Sequence, residues 1–316
     1  MSDRNSNHSG NGGHFRLKFW GVRGSYPTVD PATLAVGGNT SCVEVAVDGR
    51  SRGFPSVIFD AGTGIIALGK ELCARANPPP PAYIFLSHTH IDHVMGLCFF
   101  EPLLTPNARS FILGPGSSRG ALTRSLRHLT HSHLFPVSLD KLKGKKEIFS
   151  LAGSEAIRFG APGRRPKIEP WRATHGALAD ELIVTTCKSS AHPLNGVMLY
   201  RVHYRNKSFV YATDIEQQEG GYPEIIEFSR GADLLIHDAQ YLHGEYVSRI
   251  KPRKGWGHST VDLAADVAQK AGVKRLALFH HEPTHDDRMM KKIGNHAKRL
   301  FRSTVVAHEG MQIDLL

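Results

Sequence analysis

A short segment in the first third of the chain concentrates residues that could bind metal ions. Three histidines and one aspartate fall within six positions, at His88, His90, Asp92 and His93. Histidine nitrogen and carboxylate oxygen are ligands that zinc, manganese and iron accept in proteins. Divalent ions held in this way can activate a water molecule for hydrolysis. The residue types and their spacing therefore predict a metal-dependent hydrolytic site.

The same segment begins with an apolar run at residues 83–86, which predicts a short buried strand. Side chains repeat every two residues in extended backbone, so His88 and His90 are expected to point the same way. Asp92 and His93 follow in the turn and can face a neighbouring position. One segment could thus supply ligands to two adjacent ions. For any single histidine, a polar loop without metal is the alternative interpretation.

The whole pattern His-x-His-x-Asp-His after a strand resembles the signature of the metallo-β-lactamase superfamily. The resemblance implies three further ligands, and His192, Asp214 and His280 each follow or end a predicted strand in the required order. It also implies two divalent ions, with zinc as the first expectation and manganese or iron as alternatives. By analogy, Asp214 would bridge the two ions. The remaining ligands would then divide into two sets, His88, His90 and His192 for one ion and Asp92, His93 and His280 for the other.

Two further motifs resemble the ribonuclease Z branch of this superfamily. The segment 234–239 resembles its His-Glu-Ala-Thr motif, and residues 257–260 resemble its His-Ser-Thr motif. The resemblance implies that Asp238 orients His258, which protonates the leaving oxygen, and that Asp92 accepts a proton from the attacking water. Histidine titrates near neutrality and suits this role. The alternative for residues 257–260 is a helix N-cap formed by Ser259 or Thr260.

The elements that must position these residues alternate between short strands and helices. Predicted strands end at the candidate ligands, and a helix over residues 65–76 follows the Asp60-x-Gly62 turn. We assign Asp60 a structural role and expect a helix from residue 93 to about 104, with further helices later in the chain. Two such halves without a composition break suit two packed sheets with helices outside, the four-layer αββα sandwich of the metallo-β-lactamase fold. We expect residues 1–14 to form a flexible tail and 15–316 a single domain.

The composition indicates the cellular location of the protein and the charge of its partners. The 316 residues carry a formal net charge of +10, which favours anionic partners. The four cysteines are widely spaced, and no apolar run is long enough to cross a bilayer or serve as a secretory signal. These features predict a cytoplasmic protein without membrane contact. A homo-oligomer is compatible with them.

The leading function is hydrolysis of a small or cyclic nucleotide phosphodiester. The segments 19–25 and 37–42 resemble small bacterial metal-dependent phosphodiesterases, and no counterpart of the long Gly-Pro-rich arm of ribonuclease Z is evident. Cleavage of tRNA precursors, with RNA as partner, is the second candidate. A thioester or lactone hydrolase and a non-catalytic metal-bound sensor share the ligand set and remain open. A flavin-linked di-iron oxidoreductase would carry Glu at the position of His90.

Two further segments lie outside these motifs. The first contains His128, His131 and His133 without a carboxylate partner, and we interpret these histidines as surface or pocket-rim residues. The second, residues 160–177, is rich in proline and arginine. Its composition indicates an irregular loop, which we place at the rim of the site.

Overall fold

The computed structural model describes residues 14–47, 56–171, 181–216 and 218–316. One sheet is built mainly from the first half of the chain, with the last strand added at its edge. Its strands are β1 Phe15–Gly21, β2 Cys42–Val47, β3 Ser56–Phe59, β4 Ala82–Phe85, β5 Arg109–Pro115, β6 Lys145–Leu151 and β15 Gln312–Asp314. Their order is β15-β1-β2-β3-β4-β5-β6, and β3 to β6 are parallel.

The second sheet comes from the second half of the chain. Its strands are β7 Glu155–Arg158, β8 Lys167–Pro170, β9 Leu182–Ser189, β10 Val197–Tyr204, β11 Lys207–Ala212, β12 Leu234–Asp238, β13 Leu276–Phe279 and β14 Thr304–Val306. Their order is β14-β13-β12-β11-β10-β9-β7-β8, and β11 to β14 are parallel. Each sheet therefore has a parallel half, and parallel strands end at the same edge.

Helices connect the strands and cover the outer faces of the sheets. They are α1 Gly64–Arg75, α2 Ile91–Val94, α3 Glu101–Leu104, α4 Ala121–Leu129, α5 Pro223–Ser229, α6 His243–Tyr246, α7 Val261–Ala271 and α8 Asp287–Leu300. Short 3-10 turns occur at Pro31–Thr33, Met95–Phe99 and Leu139–Lys141. The predicted αββα sandwich is confirmed by these layers.

Aromatic rings fill the space between the two sheets. The ring of Phe59 lies 5.5 Å from Tyr200, 5.5 Å from Tyr211 and 5.7 Å from Phe209, measured between centroids. The preceding residue of β3, Ile58, faces the other way and joins a separate core with helix α1. Strands buried on both faces read as continuous apolar runs, which is why β3 and β4 lack polar alternation.

The single helix predicted over residues 93–104 is wrong. The chain instead forms α2, a 3-10 turn and α3. Pro102 lies in the first turn of α3, where the missing N–H is tolerated, and it disfavours a continuous helix through this point. Gly96 lies so close to the strand-end turn that a Cβ would stand 2.1 Å from the carbonyl oxygen of Gly62. Close packing against this turn therefore favours short helical turns over one continuous helix.

The rim position predicted for residues 160–177 is also wrong for the part that the structure describes. Lys167–Pro170 forms strand β8, paired with β7. Tyr83 donates its hydroxyl proton to the Arg164 carbonyl at 2.6 Å. Tyr83 lies near the start of β4, whereas the candidate histidines follow the end of that strand, roughly 15 Å along the chain. The segment that contacts Tyr83 is therefore at the far end of β4 from the site. Residues 172–177 lie outside the described residues.

The ends of the chain and its domain organisation complete the fold. The predicted tail lies outside the described residues except for His14, whose Nδ1 is 3.1 Å from Oδ2 of Asp314. A single domain over residues 15–316 remains our proposal. Across the described residues, no helix combines the length and apolar character that a membrane span requires.

Candidate metal centre

The candidate site lies where parallel strands from both sheets end. Ser87 and His88 follow β4 in one sheet, while Asp214, Asp238 and His280 follow or end β11, β12 and β13 in the other. The nine predicted site residues all fall within groups whose ligand atoms lie within 4.8 Å of one another. These groups are His88 with His90 and His192, Asp92 with His93 and His280, His88 with His93 and Asp214, and Asp214 with Asp238, His258 and His280.

His88, His90 and His192 form one side of the centre. The Nε2 atom of His192 lies 3.1 Å from Nδ1 of His90. The Nε2 atom of His88 is buried and has no hydrogen-bond partner among the described residues. Burial lowers the pKa of each of the three rings, which favours the neutral form that binds metal. Neutral ring nitrogens that converge with no proton donor between them can bind a cation.

Asp92, His93 and His280 form the other side. The Nε2 atoms of His93 and His280 are 3.1 Å apart, and each lies 3.2 Å from Oδ2 of Asp92. The backbone N–H of Ser25 donates to the same carboxylate oxygen at 2.8 Å. Burial alone would raise the pKa of Asp92, but His93 and His280 outweigh it and hold this pKa well below its usual range. The carboxylate is therefore ionised, as a ligand requires.

Asp214 lies between the two sides. Its carboxylate oxygens are 3.6 Å from Nε2 of His88, 3.2 Å from Nε2 of His93 and 3.4 Å from Nε2 of His280. Asp214 and His280 both adopt left-handed backbone, with φ of 57° and 59°. Such conformations cost roughly 1–3 kcal/mol in non-glycine residues and cluster at functional sites. The turns after β11 and β13 thus direct both side chains into the centre.

Asp60 supports the ligands without belonging to the ligand groups. Its Oδ2 atom lies 2.8 Å from Nδ1 of His93 and accepts bonds from the hydroxyls of Ser87 and Tyr211, each at 2.8 Å. A carboxylate on the second ring nitrogen fixes the orientation of a histidine ligand. The structural role predicted for Asp60 agrees with these contacts. The contributions of Ser87 and Tyr211 were missed, since hydroxyls far apart in the chain give no motif.

Asp238 and His258 form a buried pair beside the ligands. Oδ2 of Asp238 is 2.8 Å from Nδ1 of His258, and Oδ1 of Asp214 lies 3.8 Å from the same nitrogen. Burial lowers the pKa of His258, but Asp238 and the other carboxylates outweigh it and raise this pKa to about 9. This direction favours the protonated ring that a proton donor requires. Thr260 caps helix α7, which confirms the N-cap interpretation of residues 257–260, and the catalytic role of His258 stays a prediction.

Two further residues support the site and were missed in the sequence. Oε1 of Gln240 lies 3.0 Å from Nδ1 of His280, which orients that ring. Glu216 accepts a hydrogen bond from the Gly257 N–H at 2.6 Å, and the Gly257 carbonyl lies 3.0 Å from Nδ1 of His192. The only available signal was proximity in the chain, since Gln240 follows Asp238 by two positions and Glu216 follows Asp214 by two.

The remaining histidines that the structure describes lie outside these groups. Nε2 of His281 is 2.8 Å from the Ala307 carbonyl, so the ring faces away from the ligands, as expected for the competitor of His280. His128, His131 and His133 are exposed. They belong to none of the potential metal-holding groups found among the described residues. Their interpretation as surface residues therefore agrees with the structure.

A small cavity opens beside the first side of the centre. It has a volume of about 170 Å³ and is bordered by His88, His90, Ser125, Lys188 and Asn195. Pockets for drug-sized ligands typically measure roughly 300–1,000 Å³. The cavity can therefore hold only a small part of a larger substrate, and Lys188 places a positive charge at its border.

Comparisons with known proteins agree with this geometry. Residues 56–281 match the Beta-lactamase superfamily domain. Ribonuclease Z of Archaeoglobus fulgidus is 24% identical over 327 residues, covering 95% of this chain and 98% of that protein. The metallo-beta-lactamase fold protein YhfI of Bacillus subtilis superposes with a TM-score of 0.62 at 18% identity, covering 95% of this chain and 99% of its own. A diphosphatase from the PhnP family gives 0.61 at 19%, covering 96% and 98%.

The family match covers more than half of the chain and spans all nine predicted site residues, from His88 to His280. The solved structures share the fold. The chain belongs to the Beta-lactamase superfamily domain family, and within it the chain is similar to ribonuclease Z.

Proposed function

We propose that the protein hydrolyses a phosphodiester bond of a small or cyclic nucleotide. The observation that carries this proposal is the Asp238–His258 pair beside Asp214, with Oδ1 of Asp214 lying 3.8 Å from Nδ1 of His258. An alkoxide leaving group needs a proton, whereas hydrolysis of a thioester gives a thiolate that leaves readily without one. The buried pair therefore favours phosphodiester cleavage over thioester cleavage.

The residues fit two divalent ions. His88, His90 and His192 would hold one, Asp92, His93 and His280 the other, and Asp214 would bridge them. Zinc is the metal that we propose, and manganese or iron would accept the same ligands. When bound, the ions would lower the pKa of a water molecule and neutralise charge on the phosphate.

The chain's own groups would move the protons. Asp92 would accept a proton from the attacking water as its oxygen bonds to phosphorus. His258 would donate a proton to the ester oxygen as its bond to phosphorus breaks. Asp238 would hold the imidazole ring in place and stabilise its charged form. The products would be a phosphomonoester and an alcohol, so that atoms and charges balance.

A tRNA-processing endoribonuclease is the second candidate, favoured by the ribonuclease Z relative. Against it, the described residues between His192 and Asp214 form only the β10–β11 hairpin. The two strands are joined by the short turn Arg205–Asn206. The segment from His192 to Asp214 therefore contains no protruding arm. This feature of the hairpin is the reason that we propose a small substrate.

The test combines metal content with substrate turnover. Metal analysis of the purified protein should give about two divalent ions per chain, and His93→Ala should lower that number. The metal-loaded protein should hydrolyse a cyclic nucleotide or dinucleotide faster than it cleaves a tRNA precursor. Preferential cleavage of the precursor would instead support the second candidate. Full metal loading without hydrolysis of any phosphodiester would overturn the proposal.

A further inference from the structure

The loop from Val247 to Gly257, here called the 247–257 loop, has an unusual composition. It carries four cations and no carboxylate, together with an exposed tryptophan, at Arg249, Lys251, Arg253, Lys254 and Trp256. A solvated basic surface is the ordinary explanation for such a loop. Its attachment to the candidate metal centre and the placement of its rings point to a more specific role.

Glu216 fixes both ends of the loop to the site. One carboxylate oxygen accepts the hydroxyl of Tyr246, just before the loop, and the other accepts the Gly257 N–H at 2.6 Å. The Gly257 carbonyl in turn lies 3.0 Å from Nδ1 of His192. Gly257 has φ of 90°, and a Cβ there would stand 2.2 Å from the His192 ring. The loop is thus held directly against the ligands.

Within the loop, Arg253 is stacked between two aromatic rings. Its guanidinium carbon lies 4.7 Å from the ring centroid of Trp256 and 5.4 Å from that of Tyr241. The Tyr241 ring is in turn 5.9 Å from the ring of His258. Arg253 covers one face of Trp256, yet 56% of this residue remains exposed. An open indole face therefore lies on the same side of the centre as the proposed proton donor.

The position of His258 decides which part of the substrate meets the loop. Because His258 protonates the departing oxygen, the leaving group must lie on the His258 side. The 170 Å³ cavity, bordered by His88, His90 and His192, can take only a small group. The larger part of the leaving group therefore lies outside the cavity and next to the 247–257 loop, whose last residue, Gly257, directly precedes His258.

We propose that the 247–257 loop binds the leaving group of a linear dinucleotide or short oligonucleotide. Trp256 stacks on the nucleobase of the leaving nucleoside, since every base offers a face to an aromatic ring. Arg249, Lys251 and Lys254 bind phosphates that flank the leaving nucleoside. This inference rests on the proposed phosphodiesterase function and names its substrate class.

The experiment uses the full chain loaded with metal and a series of substrates. These are a 3′,5′-cyclic mononucleotide, a dinucleoside monophosphate, the same dinucleotide with one added terminal phosphate, and single strands of four and ten nucleotides. The variants are Trp256→Ala, Trp256→Phe and Lys251→Ala. Leu194→Ala, an apolar residue 93% exposed beside the cavity, and Lys143→Ala, an exposed lysine at the opposite end of the sheet, are the matched controls.

Trp256→Ala should lower kcat/KM for the dinucleotides about tenfold through KM, and Trp256→Phe should restore most of it. Lys251→Ala should reduce the slope of log kcat/KM against log salt by about 0.7 for the substrate with the added phosphate. Both controls should behave as wild type. For the wild type, kcat/KM should rise with the length of the substrate up to about four nucleotides and not beyond.

Two failures can be told apart. Wild type that hydrolyses none of the phosphodiesters overturns the proposed function itself. Wild type that is active, with kcat/KM unchanged in Trp256→Ala and the salt slope unchanged in Lys251→Ala, overturns only the role of the loop. A preference for the cyclic mononucleotide, or activity confined to a structured tRNA precursor, also overturns the inference on the substrate class.

Discussion

At the scale of single residues, the environment of each histidine separates ligands from other histidines. His88 is buried, and its Nε2 has no hydrogen-bond partner in the described parts of the chain, whereas the Nε2 of His281 faces the Ala307 carbonyl. His258 differs from both because Asp238 lies 2.8 Å from its Nδ1. The same residue type therefore serves as candidate ligand, structural residue and candidate proton donor, according to what each nitrogen meets.

The role of His258 can be tested through the leaving group. His258→Ala should reduce hydrolysis of a dinucleotide by roughly 10²- to 10⁴-fold, because the ribose oxygen then departs without a proton. A p-nitrophenyl phosphodiester, whose leaving group needs no proton, should lose far less activity. Metal content should equal that of wild type. Equal losses on both substrates would contradict the assignment as proton donor and favour a structural effect.

His203 should make the stability of the protein depend on pH. Burial, assisted by the nearby Arg201, lowers the pKa of His203 to about 4. In the unfolded chain a histidine titrates near 6.5, so between about pH 6.5 and 4 the unfolded state binds the extra proton. Stability is therefore fully present above this window and falls as the pH falls through it.

The measurement is urea unfolding of metal-free protein across this pH range. His203→Gln removes the titrating group, so the decline should be smaller than in wild type by on the order of 1–3 kcal/mol. Metal-free protein is used because loss of bound metal at low pH would otherwise contribute to the decline in stability. Parallel curves for wild type and His203→Gln would show that His203 does not carry this part of the pH dependence.

At the scale of elements, strand ends and helix starts place the site. The carboxyl ends of β4, β11, β12 and β13 meet at one edge because each lies in a parallel part of its sheet. Helix α7 begins three residues after His258, whose ring lies beside Asp238. The helix start therefore also fixes the backbone of the proposed proton donor.

Thr260 allows helix capping to be separated from chemistry. Its side-chain oxygen accepts the Leu263 N–H at 3.3 Å at the start of α7. Thr260→Ala should lower the free energy of unfolding by about 1 kcal/mol, whereas Thr260→Ser should retain most of it. The change is measured as a shift of the urea unfolding midpoint, with the dependence of the unfolding free energy on urea concentration unchanged. If Thr260→Ala also lost bound metal, the start of α7 would be part of the metal centre and not only a cap.

At the scale of the whole molecule, the metal centre joins the two sheets. His88 and His93 follow a strand of the first sheet, whereas Asp214 and His280 follow strands of the second. Ions bound between them would therefore add to the interaction between the layers. The net charge of +10 is consistent with a phosphate-bearing substrate but does not identify one.

Removal of metal should therefore destabilise the whole fold. A ligand that binds only the native state adds about 2.7 kcal/mol when its free concentration is 100 times its Kd. Treatment with a chelator should lower the Tm, and added zinc should restore it. Asp214→Asn should show a smaller response, since it weakens the proposed bridge. An unchanged Tm after verified metal removal would contradict the link between the two sheets.

Some of these features follow from the sequence alone. The ligands from His88 to His93 lie within six positions, so local backbone periodicity is enough to predict that they act together. The apolar runs and helix boundaries also predict the layered fold, which the structure confirms. His192, Asp214, His280, Asp238 and His258 could be chosen only because a family resemblance supplied their order.

Tertiary structure alone decided the contacts that depend on distant segments. Asp60 reaches Tyr211, and Glu216 reaches Gly257, across separations that no local pattern records. The break in the helix after His93 likewise arises from packing against Gly62. Short-range patterns report the conformation that the backbone prefers, whereas these contacts depend on which strand ends meet when the sheets pack.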